Sequence, residues 1–178
     1  MSAERAVHRC QLQAVRSDIT HERVDAIVNA ANDGLRGGGG VDGAIHRAGG
    51  PAIMEACRKI GGCPTGNAVA TTAGNLHAKY VFHAVGPIYH GGTSSEPELL
   101  ASCYRRCMQL GEELSVASIA FPAISCGVYG YPIEAAARIA VDTVSSALTP
   151  ASSIALVRFV LFSENDRAVY ERVLQRLD

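Results

Sequence analysis

Asn29, Asn32 and Asp42 surround a run of four glycines, Gly37 to Gly40, in the stretch Ala26-Ile-Val-Asn-Ala-Ala-Asn-Asp-Gly-Leu-Arg-Gly-Gly-Gly-Gly-Val-Asp-Gly-Ala-Ile-His46. Two carboxamides and a carboxylate are groups that orient a ligand or a water. Glycines free the backbone to reach φ > 0 and to turn its N–H groups toward an anion. A helix that starts near Val41 adds unpaired N–H donors and the positive end of its dipole. The chemistry this combination suits is the binding of a phosphorylated ligand. A second loop, Ser125-Cys-Gly-Val-Tyr-Gly-Tyr131, follows an apolar run and precedes a helix announced by Pro132. Two loops of this kind can clamp a diphosphate from opposite sides. Ser125 or Cys126 could also be read as the nucleophile of a strand-to-helix elbow. The G-x-S-x-G frame is absent, however, and no His–acid pair is placed by the sequence.

The elements that must hold these loops are readable from periodicity. Cys10 to Ala14 alternates apolar and polar residues, as a strand with one wet face does. Ala26–Val28, Asn67–Thr72, Val81–Val85, Ser118–Phe121 and Ile154–Phe162 read as further strands, most of them apolar enough to be buried on both faces. Helical patterns cover Val41–Ala48, Ala52–Ile60, Glu98–Leu114, Ile133–Leu148 and Asp166–Leu177. Strands alternating with helices predict an α/β fold with a mixed, largely parallel central sheet covered on both sides. Ligands of such sheets sit at the carboxyl ends of the strands, where both glycine-bearing loops fall. Leu100, Cys103, Cys107, Leu110 and Leu114 form one apolar stripe, so the two cysteines read as core rather than as metal ligands or a redox pair. Gly91-Gly-Thr-Ser-Ser-Glu-Pro97 reads as a flexible connection. Asp18 by itself reads as an N-cap or turn residue between a strand and a helix, and Phe162 by itself as a core aromatic.

With 178 residues and a formal charge of −1, the chain is expected to form a single domain over residues 1–178. That charge supplies no basic field for general nucleic-acid or membrane binding. The opening residues lack the apolar core of a secretion signal, and no stretch is long and apolar enough to span a membrane. Six cysteines without paired C-x-x-C spacing suit reduced thiols, which points to the cytoplasm. Neither histidine nor cysteine spacing suggests a catalytic metal, and no cofactor is expected.

The Ala26–His46 stretch closely resembles the first ligand loop of the macrodomain family, and in particular its MacroD-type ADP-ribosyl hydrolases. The double asparagine, the glycine run and Val-Asp-Gly-Ala-Ile-His all occur in family order. Similar stretches occur at Ser17–Thr20, Cys63–Gly66, Lys79–Pro87, Ile124–Pro132 and Phe159–Phe162. The resemblance implies a three-layer α/β/α macrodomain that binds ADP-ribose. It implies catalytic roles for Asn32, which would orient the distal ribose, and Asp42, which would orient or deprotonate the attacking water. Asp18 would accept the adenine amino hydrogen and Phe162 would stack on the base. Ser125, Gly127 and Val128 would hold phosphate, with Tyr129 beside the distal ribose, and Ile19, Asn29, Gly40, Val41 and Cys126 complete the implied ligand contacts. His46 and His83 match positions that are mainly structural. The implied substrates are mono-ADP-ribosyl esters on acidic side chains of proteins, and O-acetyl-ADP-ribose. Two other readings stay open: a reader that binds ADP-ribose without turnover, and a hydrolase of ADP-ribosylated nucleic-acid ends.

Overall fold

The computed structural model describes residues 3–178. Seven strands form one sheet: β1 (Ala3–Val7), β2 (Cys10–Arg16), β3 (Ala26–Ala30), β4 (Ala68–Thr72), β5 (Tyr80–Ala84), β6 (Ser118–Phe121) and β7 (Leu156–Leu161). Their order across the sheet is β1-β2-β7-β6-β3-β5-β4. The five central strands pair in parallel, while β1 and β4 close the two edges antiparallel. The helices are α1 (Gly40–Gly49), α2 (Pro51–Ile60), α3 (Glu96–Glu113), α4 (Ile133–Ala147) and α5 (Glu164–Gln175).

Side chains alternate across a strand, so the two faces of the sheet build two cores. Val28, Phe82, Phe121 and Phe159 face α3, α4 and α5, where Tyr104, Val141 and Tyr170 meet them. Ile27, Val81, Ala120 and Val160 face the other way, toward Ile45 of α1 and Ile53 of α2. Helices on both faces make a three-layer α/β/α arrangement. The chain leaves β3 for the α1–α2 face and leaves β6 for the α4 face, although β3 and β6 are neighbours. Loops that part in opposite directions open a crevice at the carboxyl ends of those strands.

Three local expectations are corrected. β1 was not anticipated, because Ala3-Glu4-Arg5-Ala6-Val7 is short and charged; it exists by pairing with β2 through the two-residue turn His8–Arg9. Leu114 does not extend the α3 stripe: it caps the helix and is exposed, while Leu100, Cys103, Cys107 and Leu110 are buried. The Gly91–Pro97 connection is pinned rather than loose. Glu96 is buried and its carboxylate accepts from the backbone N–H groups of His90, Gly92 and Ser94. Burial alone would raise its pKa, but these donors outweigh it and hold the carboxyl at about 2.

Candidate functional site

Five loops leave the parallel strands at one edge of the sheet, and their order is set by strand order rather than by chain order. Across the edge come Asp18 after β2, Phe162 after β7, Ser125–Gly130 after β6, Ala31–Gly39 after β3 and Val85–His90 after β5. The residues singled out from the sequence are therefore aligned along the carboxyl ends of the strands, although Asp18 and Phe162 are far apart in the chain.

At one end, Asp18 caps a short 3₁₀ turn (Ile19–His21), with Oδ1 accepting from Thr20 N at 2.9 Å and Thr20 Oγ1 at 2.7 Å. The hydroxyl and backbone donors of Thr20 lower the Asp18 pKa. The cap uses Oδ1 only; Oδ2 lies 3.8 Å from the exposed His21 ring and is open to a further donor. The Ile19 side chain is packed into the α1–α2 core. Burial rules out a contact from that side chain, leaving the backbone N–H as its polar group at the cleft. Phe162 lies one residue beyond β7 and is 66% exposed, whereas Phe159 is fully buried. An exposed aromatic face next to a carboxylate with a spare oxygen has the parts to hold a planar base.

In the middle, Ser125 adopts φ +67° and its buried Oγ has no hydrogen-bond partner among the described residues. The loop closes on itself through Cys126 N to Ala123 O, Gly130 N to Gly127 O and Tyr131 N to Ser125 O. Among the described residues the N–H groups of Gly127, Val128 and Tyr129 have no acceptor, and the Val128 side chain stands wholly in solvent. Three consecutive free donors make an anion cradle. The facing loop does the same. Helix α1 starts at Gly40 without a side-chain cap on Gly39, in contrast to α5, where Ser163 caps Asp166 N. Gly37 and Gly40 take φ +81° and +57°. A Cβ on Gly43 would lie 2.6 Å from Gly38 O, so the first turn of α1 and the glycine loop pack backbone against backbone.

Cys126 departs from what its loop suggests. N–H donors could have lowered its pKa, but burial pushes the thiol up to about 12 and its Sγ points to Ile124 O at 3.5 Å. Neither Ser125 Oγ nor Cys126 Sγ has a histidine partner among the described residues. The arrangement lacks the parts of a nucleophile elbow.

Beyond the glycine loop, Asp42 is 6% exposed on the first turn of α1. Its Oδ1 accepts from Asn29 Nδ2 at 2.8 Å and lies 3.3 Å from His46 Nε2. Oδ2 has no donor among the described residues and faces the glycine loop, 3.5 Å from where a Cβ on Gly38 would sit. Asn29 in turn lies beside His83, with Nδ2 3.1 Å from Nδ1, and His83 Nε2 is 2.8 Å from Thr71 Oγ1. Asn32 does not join this cluster. Its Nδ2 donates to Gly37 O and its Oδ1 accepts from Arg36 N, both at 2.9 Å, so it staples the start of the glycine loop. Gly40 is exposed, and Val41 packs against the α1–α2 core. Tyr129 is half-buried, and its carbonyl accepts from Tyr89 N at 2.9 Å.

His46 and His83, expected to be mainly structural, and Thr71, which no motif marks, all belong to this cluster. One signal could have found them: Asn29 and His83 are polar residues interrupting two apolar strands, and the register sets them side by side.

The Macro domain family model matches residues 28–140. A Macro domain-containing protein of Caldanaerobacter subterraneus is 56% identical over 172 residues, covering 94% of this chain and 98% of that protein. An O-acetyl-ADP-ribose deacetylase of Salmonella newport is 54% identical over 168 residues, covering 92% and 94%. Among solved structures, a glycine-to-valine variant of the Oceanobacillus iheyensis macrodomain with ADPR superposes with a TM-score of 0.93 at 41% identity, covering 98% of this chain and 97% of that one. The Trypanosoma brucei macrodomain in complex with ADP-ribose gives 0.85 at 39% identity, covering 90% and 68%.

Proposed function

The chain belongs to the Macro domain family, and from that premise we propose that its cleft binds ADP-ribose and hydrolyses esters of the distal ribose. One observation carries the reading. The order of groups along the sheet edge is the order of parts in ADP-ribose: Asp18 and Phe162 for the base, the free N–H groups of Gly127–Tyr129 and of the α1 terminus for the diphosphate, and Asp42 with Asn29 beyond them. The deacetylases of Salmonella newport and Enterobacter cloacae, at 54% and 52% identity, support an ester as the substrate. The proposed substrates are O-acetyl-ADP-ribose and mono-ADP-ribosyl esters on acidic side chains of proteins.

In this reading the two loops hold the diphosphate and place the ester beside Asp42. Asp42 Oδ2 takes a proton from the attacking water. For a glutamyl ester, that water bonds to the ribose carbon as the carboxylate departs with the electron pair of the broken bond. A carboxylate whose conjugate acid has a pKa of about 4 needs little help to leave. Positioning then supplies most of the rate. Asn32 acts through the glycine loop, holding Gly37 so that the neighbouring N–H groups face the ligand.

The test is incubation with a glutamate-mono-ADP-ribosylated protein and, separately, with O-acetyl-ADP-ribose, followed by detection of free ADP-ribose. Release from both is expected. Tight ADP-ribose binding without release from either makes the domain a reader. At the base, Phe162→Leu keeps an apolar side chain but removes the π-face. It should weaken ADP-ribose by about 1–3 kcal/mol, the worth of stacking on an aromatic ring, with little change in thermal midpoint because the ring is two-thirds exposed. Calorimetric titration beside a thermal scan reads both. A collapsed midpoint with parental affinity would mean that Phe162 packs and does not stack.

A further inference from the structure

We propose that His83 is a positioning residue for the reaction: its Nδ1 lone pair holds the Asn29 amide in the one orientation that gives Asp42 a donor. The proposal rests on the functional reading above and extends it to a residue that does not touch the ligand. Asn29 on β3 and His83 on β5 are register partners on adjacent parallel strands, and both are fully buried.

The assignment follows from donor counting. An ionised carboxylate only accepts, so the Asn29 atom 2.8 Å from Asp42 Oδ1 must be the nitrogen. The same nitrogen is 3.1 Å from His83 Nδ1. Its second N–H therefore points at Nδ1, which must carry a lone pair. The imidazole proton is then on Nε2, where it donates to Thr71 Oγ1 at 2.8 Å, and the Thr71 hydroxyl donates onward to Thr72 O at 3.0 Å. Every group in this chain has one consistent role, from the Thr72 carbonyl to the Asp42 carboxylate.

Asp42 and His83 are the two groups that orient the amide. Asn29 Oδ1 is buried and has no partner among the described residues, so an amide flip loses no bond on that side. The flip would turn Oδ1 against the Asp42 carboxylate, acceptor to acceptor, and push it out of place. His83 adds to the Asp42 bond in opposing this flip, and only while neutral. It is faced by Asn29 from β3, Thr71 from β4, Cys57 from α2, whose Sγ is 3.7 Å from Nε2, and His46 from α1, with Asp42 held on the far side of the Asn29 amide. Burial, and after it the His46 ring stacked at 6.2 Å, lower the His83 pKa to about 4. The acceptor is thus present at neutral pH and is lost as pH falls through that value.

The experiment compares the parent with His83→Leu, His83→Asn and Thr71→Val in single-turnover hydrolysis of an ADP-ribosyl glutamyl ester and in ADP-ribose titration. Nitrogen-15 spectra of the parent report the His83 tautomer. His83→Leu is expected to lower kcat by about tenfold or more while ADP-ribose affinity stays within about threefold, the split of a residue acting on the reaction. His83→Asn, whose Oδ1 replaces the Nδ1 acceptor, should recover most of that loss. The parent spectrum should show a neutral, Nε2-protonated ring at pH 7. Parental kcat in folded His83→Leu, equal loss in the Leu and Asn variants, or an Nδ1-protonated ring would overturn the proposal. Should His83→Leu not fold, Thr71→Val decides: release of the tautomer lock is expected to lower kcat and bring in the Nδ1–H form, and an unchanged kcat with mixed tautomers overturns the proposal. If the parent hydrolyses no ADP-ribosyl ester, the functional reading fails by itself. The relay is then judged by the parent spectrum alone, in which an Nε2–H ring supports it and an Nδ1–H ring removes it.

Discussion

Asp42→Ala is expected to slow release of ADP-ribose from a glutamyl ester by at least about 10²-fold, the lower range for loss of a general base. Affinity for free ADP-ribose should stay within about tenfold, or about 1.4 kcal/mol, because the base cleft and both N–H cradles are untouched. The expectation comes from how the carboxylate is held. Its Oδ1 is held by Asn29 and lies beside His46, while Oδ2 keeps its lone pairs at the glycine loop. A group whose interaction exists mainly in the transition state lowers kcat far more than it weakens ground-state binding. Asn32→Ala should slow turnover comparably and weaken binding more, since it releases Gly37 O and Arg36 N together. Single-turnover hydrolysis and titration on the same preparations measure both quantities. An Asp42→Ala protein with parental turnover would take Asp42 out of the reaction.

Gly86→Ala should weaken ADP-ribose binding by about tenfold or more, although Gly86 is buried and has no side chain to offer a ligand. An added Cβ would meet Ser125 Oγ at 2.2 Å and Ile124 Cγ2 at 2.6 Å. Ile124 is fully buried and Ser125 already holds φ +67°, so neither has room to retreat without moving the loop that carries the free N–H groups. Overpacking of this kind costs about 1–3 kcal/mol. Part should appear as a lower thermal midpoint and part as lost affinity, as the Gly127–Tyr129 donors turn from the phosphate. Gly127→Ala is the control for stability: nothing lies within 4 Å of its would-be Cβ, so its midpoint should match the parent. Parental affinity in Gly86→Ala would show that the loop absorbs the intrusion without re-aiming its donors.

The readable features were those whose physics is local. Glycines at Gly37–Gly40 announced a loop that had to turn its N–H groups outward. Apolar runs at Ile27 and Val81 announced strands buried on both faces, and Pro132 the start of α4. Features that depend on which partner a segment folds against, or on burial, were misread or missed. β1 has too few apolar residues to declare itself and is a strand only because β2 pairs with it. The stretch after Gly91 is polar and glycine-rich, yet it is locked because the Glu96 carboxylate folds back onto the N–H groups of His90, Gly92 and Ser94. Cys126 sits among donors that should lower a thiol pKa, and burial overrides them.

The sequence by itself determined the α/β alternation, the two anion-binding loops and the residue types able to orient a diphosphate and a water. These follow from periodicity, φ freedom and side-chain chemistry, which act over a few residues. Only the tertiary structure decided which of those residues cooperate. Strand order brought Asp18 and Phe162 to one end of a cleft, and register set His83 against Asn29 and so against Asp42, while Asn32, one turn of loop away, was committed to its own backbone. Hydrogen bonds reach about 3 Å. Strand spacing and register, not the local pattern of residues, settle which side chains come that close.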